Sequence, residues 1–246
     1  MKIEDLVIMG QASPDKLSDG RETVCTAGFS KTHGFIRVYP TRVNSPLRRW
    51  EQVSVDVEKN SKDTRNESWK LVGSRTEWQD LNRRIEPIRE ISQDEKRNLV
   101  LNHVDGCVHD INDSKRSLGI VKPEIHKCYF GNREGYNPYV QKSLLAGILP
   151  IKTKINFPLV PRIQYRCSDC KAKGYHDQQV IDWGFYEWMR KNPDNIDQVW
   201  KNAKLISSNS DIYFFLGNQM LHRVSFMIIS VFSFSKETVP EGQTIL

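Results

Sequence analysis

The sequence predicts a mixed, β-rich α+β protein. Three observations carry that expectation. Short runs alternate apolar and polar residues at a period of two, as a strand with one buried face requires; VSVDV at 53–57 is one, and the second arm of RETVCTAGFSKTHGFIRVYP at 21–40 is another. Two runs near the C-terminus, IYFFL at 212–216 and FMIISVFSF at 226–234, are almost wholly apolar, which suits strands covered on both faces. A few segments, above all 177–191, keep apolar residues at helical intervals instead.

The chain has 246 residues, enough for two small domains or one large one. A hydrophobic share of 38% beside 27% charged residues suits a soluble globular protein with its own core. No run of apolar residues is long enough for a membrane-spanning helix. MKIEDLVIMG lacks the order of a secretory signal. Five cysteines, an odd number without an export signal, argue against a disulfide framework and for a reducing, cytoplasmic compartment. The net charge of +6 favours polyanion partners without proving them.

Taken in order, Ile3 to Met9 read as a first strand and 13–20 as a polar connector. The next stretch, 21–40, reads as a hairpin. Val24, Cys25 and Phe29 lie in its first arm, Ser30–Gly34 form the turn, and Phe35, Ile36, Val38 and Tyr39 lie in the second arm, which Pro40 is expected to stop. Strands follow at 53–57 and 68–72 around a polar loop. Trp78, Leu81, Ile85 and Ile88 are spaced for a helix limited by Pro87. Ser92 and Glu95 match a capping box, placing a helix from about Gln93 to Asn102. HVDGCVHDINDS at 103–114 crowds His103, Asp105, Cys107, His109, Asp110 and Asp113, groups a metal or acid–base site would need, but with no established ligand spacing it reads as a polar connector; Leu118–Val121 reads as a strand. Residues 139–149 read as a short helix or an edge strand. The prolines at 150, 158 and 161 mark a seam. Asp177 is expected to cap a helix that runs to Lys191, a second helix to run from Ile196 to Leu205, and the chain to fray after Val239.

Two patterns carry chemistry. The first is basic and aromatic: Arg21, Arg37, Tyr39, Arg42, Arg48, Arg49 and Trp50. Guanidinium groups take phosphates and flat rings stack on bases, which is what a single-stranded nucleic acid needs. The alternation Phe35, Arg37, Tyr39 would turn Arg37 outward between two rings. The same residues also suit a half-buried strand with solvated arginines. The second pattern is Cys167-Ser-Asp-Cys170 with His176 six residues on. Two cysteines at this spacing can aim both thiolates at one zinc. His176 is a candidate third ligand, and His126, Cys128 or His222 a candidate fourth. Reduced structural thiols and a redox pair are the alternatives. No nucleophile elbow, phosphate-cradling glycine loop, metalloprotease helix pair or zinc-deaminase pattern occurs.

RETVCTAG, GFIRVYP, the Lys-Pro near Val121, the Cys167–His176 segment followed by DWGFYEW, and FFLGNQ with FMIISVFSF together resemble the dual OB-fold domain proteins of prokaryotes. That resemblance implies two small five-stranded OB-like β-barrels with helical insertions. With it, the expected division is 1–155, an N-terminal OB-like barrel with a helical insertion, and 156–246, a β-rich domain with two helices and a Cys/His zinc knuckle. The function expected is nucleic-acid binding, to single-stranded DNA or RNA, with one structural zinc as cofactor. The alternatives are a nuclease or nucleotide hydrolase using His109, Asp110, Asp182 and His176, and an interaction scaffold or sensor in a prokaryotic defence system. The last is motivated by the resemblance alone.

Overall fold

Strands from residues 2–71 close on one another. They are β1 (Lys2–Gln11), the two-residue β2 (Asp15–Lys16), β3 (Glu22–Ser30), β4 (Gly34–Arg42), β5 (Glu51–Lys59) and β6 (Ser68–Leu71). In this computed structural model, which describes residues 1–136, 157–170, 172–207 and 209–236, β1 pairs antiparallel with β3, β3 with β4, β1 with β5 and β5 with β6. β4 and β6 run parallel, so β1-β3-β4-β6-β5 is a closed five-stranded barrel. The alternation read in the sequence fills it: Leu6, Ile8, Ile36, Val38, Val53, Val55, Val57 and Leu71 are buried together. The expected helix or edge strand at 139–149, most of the 150–161 seam and the end after Val239 lie outside the described residues.

Several expectations change. β4 continues through Pro40 to Arg42. The register slips between Val24 and Thr26 on its partner, so the proline sits at a bulge where no ladder donor is required. Trp78–Arg84 is a short 3₁₀ helix, and Ile85–Glu90 is a strand, β7, that pairs with the outer edge of β5. Pro87 lies opposite Val53 beside a register slip, an edge position that a proline tolerates better than a helix interior. The helix α1 (Gln93–Leu101) has the predicted capping box, with Ser92 and Glu95 exchanging both hydrogen bonds.

The second half holds β8 (Val104–Asp105), α2 (Val108–Asp113), β9 (Leu118–Val121), β10 (Pro123–Asn132), β11 (Leu159–Cys167), β12 (His176–Gln179), α3 (Trp183–Lys191), α4 (Gln198–Asn202), β13 (Ser210–Asn218) and β14 (Phe226–Ser235). One sheet runs β14-β13-β9-β8 and another β10-β11-β12. The expected division at 155/156 does not follow these pairings: β9 pairs with β13 and β10 with β11, so the chain from Val104 onward belongs with the C-terminal strands. Lys122 alone separates β9 from β10. Across the two sheets, Val180 makes a parallel bridge to Ile228, and the Ile181 N–H donates to the Ile228 carbonyl at 2.8 Å. The helix expected from Asp177 begins at Trp183, capped by Asp182, which accepts from the Gly184 N–H at 2.7 Å. His176–Gln179 pair with β11 instead. The 103–114 connector contains β8 and α2, and the second helix shrinks to Gln198–Asn202. Among the described residues no helix is long and apolar enough to cross a membrane.

The halves share a core. Met9, Ala27 and Phe35 of the barrel pack with Leu118, Ile120, Tyr213, Phe215, Ile229 and Phe232. Gly10 permits the close approach: a Cβ there would lie 2.9 Å from Ile229 Cγ2 and 3.0 Å from Ser230 Cβ. Beside this apolar contact runs a polar seam. Arg37 donates to the Ser117 carbonyl at 3.0 Å and the Asn218 carbonyl at 3.3 Å. Arg65 donates to the same Asn218 carbonyl at 2.6 Å and to Asp63 at 2.5 Å. The Ser117 N–H donates to Glu67 at 2.7 Å. Burial disfavours charge on Arg37 first of all, and Asp63 and Glu67 are among the groups that oppose this.

Candidate functional site

Cys167 ends β11 and His176 opens β12, and the turn between them holds Cys170. Pleating turns Cys167 and His176 to the inner side of the sheet. Cys107 arrives from a different stretch of chain, at the residue preceding α2, where its extended backbone (φ −153°) starts the helix. The Asp169 N–H donates to the Gly106 carbonyl at 3.1 Å, tying the cysteine turn to that approach. One ligand atom from each of Cys107, Cys167, Cys170 and His176 lies within 4.8 Å of the other three, and the group can hold a metal ion.

Two edges of the cluster, both from His176, have the dimensions of a tetrahedral site. Zinc–sulfur bonds of about 2.3 Å and zinc–nitrogen bonds of about 2.0 Å give a sulfur–nitrogen edge of roughly 3.5 Å. The His176 Nε2 lies 3.4 Å from the Cys170 Sγ and 3.7 Å from the Cys107 Sγ. Burial pushes the Cys167 thiol up. Burial acts the same way on Cys170, but backbone N–H groups of Cys167 and Ala172 outweigh it and bring that thiol below its ordinary value. Burial, and then His109, hold the His176 imidazole below its usual value, toward the neutral form a metal takes.

None of the three expected fourth ligands belongs to the cluster. His126 lies on the outer side of β10, stacked on Tyr175. Cys128 packs against the core, and burial pushes its thiol up to about 11. His222 is exposed in the turn between β13 and β14. The ligand that sequence spacing missed is Cys107. Its own segment, HVDGCVHDINDS, held the signal as a lone cysteine among histidines and aspartates, without a second ligand at a recognisable spacing.

The basic-aromatic residues do not form one surface. Arg37 is 5% exposed and lies in the seam, because the face of β4 expected to meet solvent is covered by the second half. The expected outward display of Arg37 is therefore corrected. Arg49 donates to Ser230 at 2.9 Å and pairs with Asp182 at 3.4 Å. Trp50 packs on Phe232, ring centres 4.8 Å apart. Arg48 is exposed, and Arg42 donates to the Gln79 carbonyl.

Arg21 and Tyr39 do come together, in a groove of about 490 Å³. Its walls are the 12–21 connector on one side and the 60–67 loop on the other. Lys62, Lys70 and Arg75 supply further cations, and Met220 reaches in from the second half. Arg21 pairs with Asp19 at 2.6 Å and lies 4.6 Å from the Trp78 ring centre. Lys70 pairs with Glu58. Burial pushes the Tyr39 hydroxyl up to about 12, so it stays a neutral donor. Lys62 and Arg75 have no ion-pair partner among the described residues.

Two family models match the chain, each described as a domain of unknown function: DUF8758 over residues 2–102 and DUF8757 over residues 108–245. The boundary between them falls where strand pairing divides the molecule, between α1 and α2. No curated protein matches.

Proposed function

We propose that this chain, which belongs to the DUF8757 family, binds single-stranded nucleic acid in the groove of its N-terminal barrel, and that its Cys₃His cluster holds a structural zinc. The observation that carries the reading is the groove's position. OB-type barrels take oligonucleotides across strands 2 and 3, between the loop joining strands 1 and 2 and the loop joining strands 4 and 5. In the order β1, β3, β4, β5, β6, those loops are 12–21 and 60–67, and Tyr39 stands on the third strand between them. Lys62 and Arg75 offer charge to phosphates, and Arg21, Trp78 and Tyr39 put cation and ring side by side.

The second half supports an OB-like reading as well. Treating β9 and β10 as one bent strand, the order of first appearance is β10, β11, β12, β13, β14, with α3 and α4 between the third and fourth. The antiparallel neighbours and the parallel bridge from Val180 to Ile228 repeat the ring order of the first barrel. On this reading the chain carries two OB-like barrels of one plan.

Zinc fits the donor set because three sulfurs and one imidazole supply four ligands and leave no open position, as structural sites require. The hydrolase reading is weaker. Asp182 is engaged as the α3 cap and by Arg49 and Ser230, and His176 belongs to the cluster.

Fluorescence anisotropy with labelled single-stranded DNA and RNA, and with duplex competitors, tests the binding. Three or four phosphate contacts predict a slope of log affinity against log salt of roughly −2 to −3. Lys62→Ala with Arg75→Ala should make that slope shallower by about 1.4. A protein that binds no oligonucleotide, or binds without salt dependence, overturns the proposal and leaves the scaffold reading. One equivalent of zinc by elemental analysis is expected for the cluster.

A further inference from the structure

The sheet β10-β11-β12 has two unlike sides. Neighbouring residues in a strand point to opposite faces. Cys167 turns inward to the cluster, so Arg166, one residue before it on β11, turns outward; Tyr175, which immediately precedes β12, lies on the same outer side. Both are exposed, Tyr175 to 48%. They meet across the sheet, the Arg166 guanidinium 5.3 Å from the Tyr175 ring centre. His126, from β10, stacks on the same tyrosine with ring centres 4.1 Å apart and planes 10° from parallel. Farther along this side, the Lys127 ammonium lies 5.1 Å from the Tyr129 ring centre, and Arg162 donates to the Tyr129 hydroxyl at 3.1 Å.

We infer that this outer face is a second contact for the same single strand, in which an unpaired base joins the His126–Tyr175 stack while Arg166 and Lys127 take the flanking phosphates. The inference rests on the nucleic-acid reading above but uses none of the groove's residues. The occupant follows from the chemistry of the face. Flat rings alternate with cations, which suits a ligand that is itself an alternation of flat bases and phosphates. Asp177 is held by Arg162 at 2.9 Å and by the Tyr129 hydroxyl at 2.7 Å. Glu124 is the direct cross-strand neighbour of Arg166, but no ion pair joins the two among the described residues, so the guanidinium keeps its donors for a phosphate. Arg166 is carried by β11, and Tyr175 immediately precedes β12, next to the cluster residue His176.

The test uses the full chain, a short and a long labelled oligothymidylate, and the variants Tyr175→Ala, Tyr175→Trp and Arg166→Ala beside Lys62→Ala/Arg75→Ala. Loss of one stacked base predicts that Tyr175→Ala binds the long oligonucleotide about tenfold more weakly with an unchanged salt slope. Tyr175→Trp should keep the affinity, and Arg166→Ala should make the slope shallower by just under 1. An oligonucleotide carrying 5-iodouracil should crosslink to Tyr175 or His126 in the wild type. Wild-type binding that Tyr175→Ala leaves within twofold, with no crosslink on this face, overturns the inference while the groove reading stands. A wild type that binds neither oligonucleotide overturns both.

Discussion

Arg37 is the residue on which the sequence and the structure assign opposite roles, and its removal separates them. Arg37→Ala deletes two hydrogen bonds from a charged donor to main-chain carbonyls, those of Ser117 and Asn218, and a longer one to the Ser117 hydroxyl at 3.4 Å. Bonds of that kind are worth about 1.5–3 kcal/mol each. Both carbonyls keep another donor, the Asn218 N–H for the first and Arg65 for the second, so neither is left bare and the loss falls near the lower bound. The void left by the side chain adds to the cost, and relief of the arginine's own burial subtracts. A net loss of about 2–3 kcal/mol results, or a fall in Tm of roughly 5–10 °C for a chain of this length. Arg37→Met keeps most of the volume, and the Arg37 Nε lacks a hydrogen-bond partner among the described residues. Methionine should therefore cost less than half as much, as replacing a buried charge by a similar apolar volume often does. Thermal unfolding by circular dichroism, run beside the oligonucleotide titration, reads both roles. An Arg37→Ala protein that melts like the wild type but binds nucleic acid tenfold more weakly would refute the buried seam and restore the outward arginine.

The seam should weaken in acid. Burial favours the protonated form of Asp63, but hydrogen bonds from Arg65 and Ser68 outweigh it and hold the carboxyl at about 2. A depressed folded value stabilises above the ordinary carboxylate range, and that stabilisation is lost as pH falls from about 4 to 2; Asp63→Asn should flatten this part of a pH–Tm curve. Cys107→Ser should lose stoichiometric metal and lower Tm, whereas Cys128→Ser should keep the full metal content; equal metal in the two variants by elemental analysis would remove Cys107 from the cluster. Ser92→Ala should cost about 1 kcal/mol in urea unfolding through loss of the α1 cap.

Local signals were legible where a single segment carries the whole cause. The capping box at Ser92 and Glu95 needs four consecutive residues and nothing else, and it formed as read. The alternation in 53–57 placed Val53, Val55 and Val57 in the barrel. Where the cause is a partner distant in sequence, the reading failed. Arg37 has the pleat expected of it, but the side it faces is closed by Ser117 and Asn218, which nothing near residue 37 announces. Trp78, Leu81, Ile85 and Ile88 have helical spacing, yet β5 offers an open edge and Pro87 tolerates it. The cluster divides the same way. Cys167, Cys170 and His176 are close in sequence and were recognised together; Cys107 joins them because β8, α2 and β9 fold back onto β13.

The seam and the groove share side chains, and that limits how the groove can be tested. Asp63 and Arg65 line the groove and also fasten the 60–67 loop to Asn218 at the end of β13. A substitution at Arg65 would remove a cation from the groove and a buried bond from the seam together, so weakened binding in that variant would not distinguish a lost phosphate contact from a displaced loop. Lys62 and Arg75 line the same groove without bonding to the second half among the described residues, so their substitution changes charge while leaving the wall in place. A strand that neutralises Lys62 and Arg75 therefore acts on a surface already braced by the seam. On that account nucleic acid should raise the Tm of the wild type by mass action, and the rise should shrink in Lys62→Ala/Arg75→Ala without any drop in the Tm of the free protein.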